Sequence, residues 1–251
     1  MESVPDAIVQ HILSQMNNAR DIASCSCISK RWNECIPYIP SLYFPRSTFD
    51  VVSRSQADTT ITRMVSAAAR LEELVVYCPF SATSLESWLS LRSPTLRVLE
   101  LRMDMATEDK PDGTRLDCIR LGKGLEVLKL WGVSLNKSPD WASFERLRNL
   151  EIIGAVMRDD ALNNALRACP NLTDLALLGC DGVESAVIEM ERLENCRLDF
   201  LAVGNCSLCL SSPMIRLLEI QGFSWIHVNK NHRLAHLSIA KNSGDQSFKI
   251  H

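Results

Sequence analysis

A six-residue pattern, Leu-x-x-Leu-x-Leu with aliphatic variants, recurs eight times between residues 71 and 239 and constrains the fold more than any other feature. The copies begin at Leu71 (LEELVV), Leu96 (LRVLEL), Leu125 (LEVLKL), Leu147 (LRNLEI), Leu172 (LTDLAL), Leu198 (LDFLAV), Ile215 (IRLLEI) and Leu234 (LAHLSI). Successive starts lie 25, 29, 22, 25, 26, 17 and 19 residues apart. Within a copy the alternation is that of a strand with one buried face. One such copy fits any sheet. Eight at a spacing of mostly ~20–29 residues describe units that bury an apolar face only by stacking on one another.

These are the features of a leucine-rich-repeat array, and the predicted fold class is α/β: a curved solenoid with a parallel concave sheet and irregular convex helices. Amphipathic stretches that fit convex helices are Ser84–Leu91, Asp159–Cys169 and Val183–Leu193, with Asp159 or Asp160 as the N-cap of the second. The two short intervals leave no room for a helix, so extended chain is expected there. Eight positions beyond the first leucine stand Cys180, Cys206 and Asn242, where such repeats use Cys or Asn to hold the turn. Residues 104–117, DMATEDKPDGTRLD, read as a long polar loop.

The remaining composition narrows the classes. A 46% hydrophobic and 23% charged chain is globular, and a formal net charge of −3 leaves no basic footprint for nucleic acid or an anionic membrane. No apolar run approaches the roughly 18 residues of a membrane span, and the acidic N-terminus does not read as a signal peptide. The expectation is a soluble protein of the cytoplasm and/or nucleus. Ten scattered cysteines in such a chain read as reduced, buried thiols. Cys206-Ser-Leu-Cys209 lacks a second ligand pair for zinc, and His227, His232 and His236 have no completing ligand at a suitable spacing. With no phosphate loop, nucleophile elbow or paired catalytic groups, neither an enzyme nor a cofactor is expected.

The first 44 residues follow a different rule. Pro5 opens a helix whose Ile8, Val9, Ile12, Leu13 and Met16 form a wide apolar face; Asn17-Asn18 breaks it, and two short helices follow before Pro37 and Pro40. So small a unit buries too little surface to stand alone, and it must pack on the array, on a partner, or on both. VPDAIVQHILSQM followed by ARDIASCSCISKRWNECIP resembles an F-box, supplying Pro5, Ile8, Ile12, Leu13, Ser14, Met16, Asp21, Ile22, Ile28, Ser29 and Trp32, with Val4, Met16 and Ile28 as conservative departures. With the repeats, the chain is similar to the F-box/leucine-rich-repeat family, and the run ITRMVSAAARLEELVVY to its plant members. The resulting division is an F-box over 1–44, a linker and capping helix over 45–70, and repeats over 71–251, about eight with the last two short.

The resemblance implies a non-catalytic substrate receptor of an SCF-type cullin–RING ubiquitin ligase. Pro5, Ile8, Ile12, Leu13, Ile22, Ile28 and Trp32 would then be the adaptor-binding F-box positions, some forming its own small core and the rest facing a Skp-family adaptor. Either of two stripes, Ile8/Ile12 or Val9/Leu13/Met16, fits the outward role. An unknown protein target would sit on the concave face, which the strand alternation populates with Tyr77, Arg102, Lys129, Trp131, Ile153, Leu178 and Phe200. Glu100, Lys129 and Glu151 should form a cross-strand charge ladder, and Trp131, Ile153 and Leu178, flanked by Ala176, Phe200 and Ala202, an exposed apolar patch. An inositol phosphate inside the solenoid would require more basic residues than Arg102 and Lys129. The alternative role is a truncated or non-ligase repeat scaffold, suggested by the twelve residues after Ile239, too few for a terminal cap.

Overall fold

The computed structural model describes residues 4–48, 53–103, 113–201, 206–229, 233–240 and 249–250. Three short helices open it: α1 (Asp6–Ser14), α2 (Ala19–Ser26) and α3 (Lys30–Glu34). Asn18 caps α2 by accepting the Arg20 N–H at 3.0 Å, so the predicted Asn17-Asn18 break is also a helix start. Ser29 caps α3 in the same way through the Trp32 N–H. Further helices are α4 (Arg54–Ala67), opened by a Ser53/Gln56 capping box, α5 (Ala82–Arg92) and α6 (Asp159–Arg167).

The strands in chain order are β1 (Ser41–Phe44), β2 (Glu73–Val76), β3 (Val98–Arg102), β4 (Val127–Trp131), β5 (Ser134–Leu135), β6 (Asn149–Ile153) and β7 (Val156–Met157). Beyond them lie β8 (Asp174–Cys180), β9 (Ser185–Glu189), β10 (Asn195–Phe200), β11 (Ser207–Ser211), β12 (Leu217–Gln221), β13 (Trp225–Val228), β14 (His236–Ala240) and β15 (Lys249–Ile250). Nine of these form one parallel sheet in the order β1-β2-β3-β4-β6-β8-β10-β12-β14. The outer side carries α4, α5, a 3-10 segment at Gly113–Leu121 and α6, then a four-stranded sheet β15-β13-β11-β9. Helices give way to strands because the later repeats are shorter.

The inner strands show why the pattern folds this way. Position four and position six of each copy point into the core: Leu99 and Leu101, Leu128 and Leu130, Leu150 and Ile152 are all fully buried. Each such side chain contributes roughly 1.5–3 kcal/mol on burial. At position eight, Gly132, Gly154 and Gly222 have positive φ and turn the chain off the sheet, while Gly179, also at positive φ, lies near the end of β8.

Several expectations are corrected. The sixth copy starts at Leu193, not Leu198: the register pairs Cys196 with Leu175 and Leu198 with Leu177. Cys196 fills the leucine position, fully buried. Phe200 is consequently buried rather than concave, and packs edge-on against Phe223 at 5.0 Å. Cys206 loses its turn position and lies buried at the start of an outer strand. Ala202 and Asn242 fall outside the described residues.

Val183–Leu193 is not helical. It holds β9, whose Ala186 and Ile188 are buried while Val187 and Glu189 are exposed, a period of two that fits a strand paired to β11. Neither Asp159 nor Asp160 caps α6, whose N-cap is Arg158; the Asp159 carboxylate instead accepts the Glu184 and Ser185 N–H groups at 2.9 and 3.0 Å, tying two repeats together. Of the loop expected over 104–117, residues 104–112 lie outside the described set, and from Gly113 the chain is 3-10 helical with Leu116 buried. Strand β1 adds a ninth repeat at Ile39, in register with β2.

The N-terminal helices share one core with the array, which runs from Val9 and Ile22 through Leu42 to Ile226. Asn17 O accepts the Tyr43 N–H at 2.7 Å, so the first loop pairs with the first strand.

Gly154 has φ of +63° and open space where a Cβ would sit, whereas a Cβ on Gly182 would lie 2.7 Å from the Met157 carbonyl oxygen. Gly154→Ala should therefore cost about 1–2 kcal/mol in urea unfolding, from backbone strain alone. Gly182→Ala should cost more; equal or negligible losses would contradict the turn geometry.

Burial pushes the thiols of Cys78, Cys118, Cys169, Cys196 and Cys206 up to about 12 and that of Cys180 to about 11. Iodoacetamide at about pH 8 should label exposed Cys27 first and leave these six intact until unfolding, as peptide mass mapping would record.

Candidate functional site

Two surfaces stand out. On the N-terminal helices, Ile8 is 49% and Ile12 39% exposed, one turn apart on α1, with Val4 at 48% on the same stripe and Ile28 at 63% beyond α2. Pro5 is exposed as well. Val9 and Leu13, one position further round, are buried, with Met16 partly buried on the core. The outward stripe is thus Ile8/Ile12. Of the F-box positions, Leu13 and Ile22 are the ones that form core, and Trp32 packs partly buried against that core. An Arg31–Asp6 ion pair joins α3 to the start of α1.

The second surface is the concave sheet. Position five reads, strand by strand, Tyr43, Val75, Glu100, Lys129, Glu151, Ala176, Arg197, Glu219 and Ser238. Lys129 Nζ lies 3.3 Å from Glu151, and Arg197 Nε 3.2 Å from Glu219. Glu100 is engaged elsewhere: its Oε1 accepts from the Tyr77 hydroxyl and, at 3.1 Å, from Trp131 Nε1. Tyr43 on β1, Tyr77 just after β2 and Trp131 on β4 form an aromatic run, with ring centroids 5.4 and 6.4 Å apart. Trp131, Ile153 and Leu178 are in register and partly buried. Arg102 pairs with Trp131 across β3 and β4.

Between the two ion pairs the face drops to Ala176. A cavity of about 360 Å³ opens there, lined by Asn149, Glu151, Asp174, Ala176, Asn195 and Arg197 together with Leu175, Leu178 and Leu217. Asp174 accepts from Thr173 and from Asn195 Nδ2, both at 2.7 Å. Reading the sixth copy at Leu198 hid Asn195, Arg197 and Asp199; admitting Cys at position four of the pattern would have exposed all three.

Other candidates separate. His227 lies on the outer sheet and His236 on the inner one, while His232 falls outside the described residues. Cys206 and Cys209 are three apart along extended chain and so point to opposite faces. Among the described residues no His/Cys/Asp/Glu group could hold a metal, and no helix is long and apolar enough to cross a membrane.

Burial first, and the bond to Glu100 second, push the Tyr77 phenol well above its ordinary value near 10. The folded protein therefore holds this proton longer than the unfolded chain. The Tyr77 contribution to stability is complete below pH ~10 and is lost as pH rises through the folded value. Urea midpoints should thus fall less steeply above pH ~10 in Tyr77→Phe than in wild type; parallel curves would contradict the burial of this hydroxyl.

Comparison with known proteins adds the following. A family described as FBD-associated F-box protein At5g56370, LRR repeats, matches residues 114–242, and one described as F-box-like matches residues 1–44. F-box protein At1g10780 of Arabidopsis thaliana is 47% identical over 248 residues, 97% of this chain and 59% of that protein. F-box/LRR-repeat protein At1g67190 of the same plant is 25% identical over 234 residues, 89% of this chain and 50% of its own length. F-box/FBD/LRR-repeat protein At5g56420, also of Arabidopsis thaliana, is 24% identical over 195 residues, 75% of this chain and 45% of that protein. The chain spans about half the length of the curated relatives it matches.

Proposed function

Since the chain belongs to the F-box/leucine-rich-repeat family, we propose that it is the substrate-recognition subunit of an SCF-type cullin–RING ubiquitin ligase. In this reading the α1 stripe docks on a Skp-family adaptor and the concave sheet holds a protein target. The role is non-catalytic; ubiquitin transfer belongs to the other subunits, and the site of action is the cytoplasm and/or nucleus.

The observation that carries the reading is the split of the N-terminal apolar residues. Val9, Leu13 and Ile22 are spent on the shared core, yet Ile8, Ile12 and Ile28 remain in solvent at 49%, 39% and 63% exposure. A helical cap serving only the array would turn these residues inward. A contiguous apolar stripe left out on a helix is the form that helix-in-groove docking takes. The shared core also holds the docking helices against the array, which suits a receptor that must present a target at a fixed distance from its ligase.

Co-purification with a recombinant Skp-family adaptor tests the contact. Wild type should be retained, and Ile12→Asp should lose at least about tenfold in affinity with an unchanged unfolding midpoint. Leu13→Ala, a core change, should instead lower stability by about 2–5 kcal/mol. Failure of a folded wild type to bind any such adaptor would overturn the ligase role.

A further inference from the structure

The notch at Ala176 is a site in its own right. On the strands around it, position five is Lys129, Glu151, Ala176, Arg197 and Glu219, so a single short side chain interrupts a row of long charged ones. The long neighbours lean away from the gap: Glu151 to Lys129 on one side and Arg197 to Glu219 on the other. Two cross-strand ion pairs thus stand back to back with the cavity of about 360 Å³ between them.

The charge around the notch is unequal, and in the lining itself two carboxylates, Glu151 and Asp174, stand against one cation, Arg197. Over positions three, five and seven of β4, β6, β8, β10 and β12, the carboxylates are Glu151, Asp174, Asp199 and Glu219, against the cations Lys129 and Arg197. Both cations are already committed to Glu151 and Glu219. Asp174, on the cavity wall, is held by two neutral donors, the Thr173 hydroxyl and the Asn195 amide, which fix the carboxylate without neutralising it. Asp199 shares the face with Arg197, and its Oδ1 is buried with no hydrogen-bond partner among the described residues.

Ala176, Leu178 and Leu217 offer apolar contact, and the oxygens of Glu151, Asp174 and Asn149 stand beside it. An apolar bed beside fixed anionic oxygens suits a side chain with a methylene stem and a cationic head.

We propose that this notch receives one Lys or Arg side chain from the recognised segment of the target protein. The aliphatic stem lies over Ala176, and the head bonds to Asp174 and Glu151. The assignment rests on the reading of the concave face as the target-binding surface and supplies a chemical class for what binds there. Negative charge left over between two closed ion pairs favours a basic side chain and repels an acidic one.

Selection from a random-peptide display library against the whole 251-residue chain tests it. Enriched peptides should share Lys or Arg at one aligned position and lose at least about tenfold in affinity when that residue becomes Ala. Asp174→Asn, nearly isosteric, and Ala176→Phe, which fills the notch, should each weaken the same peptides by a similar factor while circular dichroism is unchanged. Peptides without an aligned basic residue, undiminished binding to Ala176→Phe, or no enrichment by folded protein would each overturn the proposal. Binding of the Skp-family adaptor to the same variants keeps the two readings apart. Adaptor binding without basic-residue selection overturns the notch alone, and selection without adaptor binding overturns the ligase role alone.

Discussion

Every inner strand buries its fourth and sixth side chains against the neighbouring repeats and against its own outer segment. No repeat holds a closed core of its own, so the array exists only as a stack, and the buried residues form one continuous cluster from Val9 to Ile226. That constraint fixes the rest. With alternate side chains committed inward, the others have to form an uncovered face, and the parallel register sets them in straight rows across nine strands. The rows turn single residues into a surface: ion pairs run between adjacent strands, and one alanine among them makes a cavity.

The same stack governs the N-terminal helices. They are too small to be stable alone, and their buried residues continue the core of the first strand, with the Asn17 carbonyl bonded to the Tyr43 N–H. What the array does not need stays outside. Burial of Val9 and Leu13 fixes the rotation of α1, and the same rotation leaves Ile8 and Ile12 exposed. Exposed stripe and core are two faces of one helix, and burial against the repeats determines which is which.

Much of this was legible because leucine marks the inward positions plainly. The repeat at Leu193 was misread since Cys196 occupies the leucine site; a thiol is small and apolar enough to bury fully, but a leucine template passes over it and finds Leu198 instead. Strand β1 went unseen for a similar reason. Ile39, Leu42 and Phe44 keep the pattern with Phe in the sixth place, but Pro37 and Pro40 read as the end of a helical unit. The segment 183–193 carries both helical and strand periodicities, and only pairing with β11 decides between them. On the concave face, the Lys129–Glu151 contact followed from alternation and register. The notch did not, because an absence of side chain at Ala176 matters only once Arg197 is placed beside it.

The central claim is that α1 is divided between a core face and a face for a second protein. Hydrogen–deuterium exchange of the chain alone and with a Skp-family adaptor addresses that division directly. The account predicts added protection over α1 and the α2–α3 segment around Ile28, with inner strands β4 to β12 unchanged. Protection confined to the repeats, or none under saturating adaptor, would contradict it.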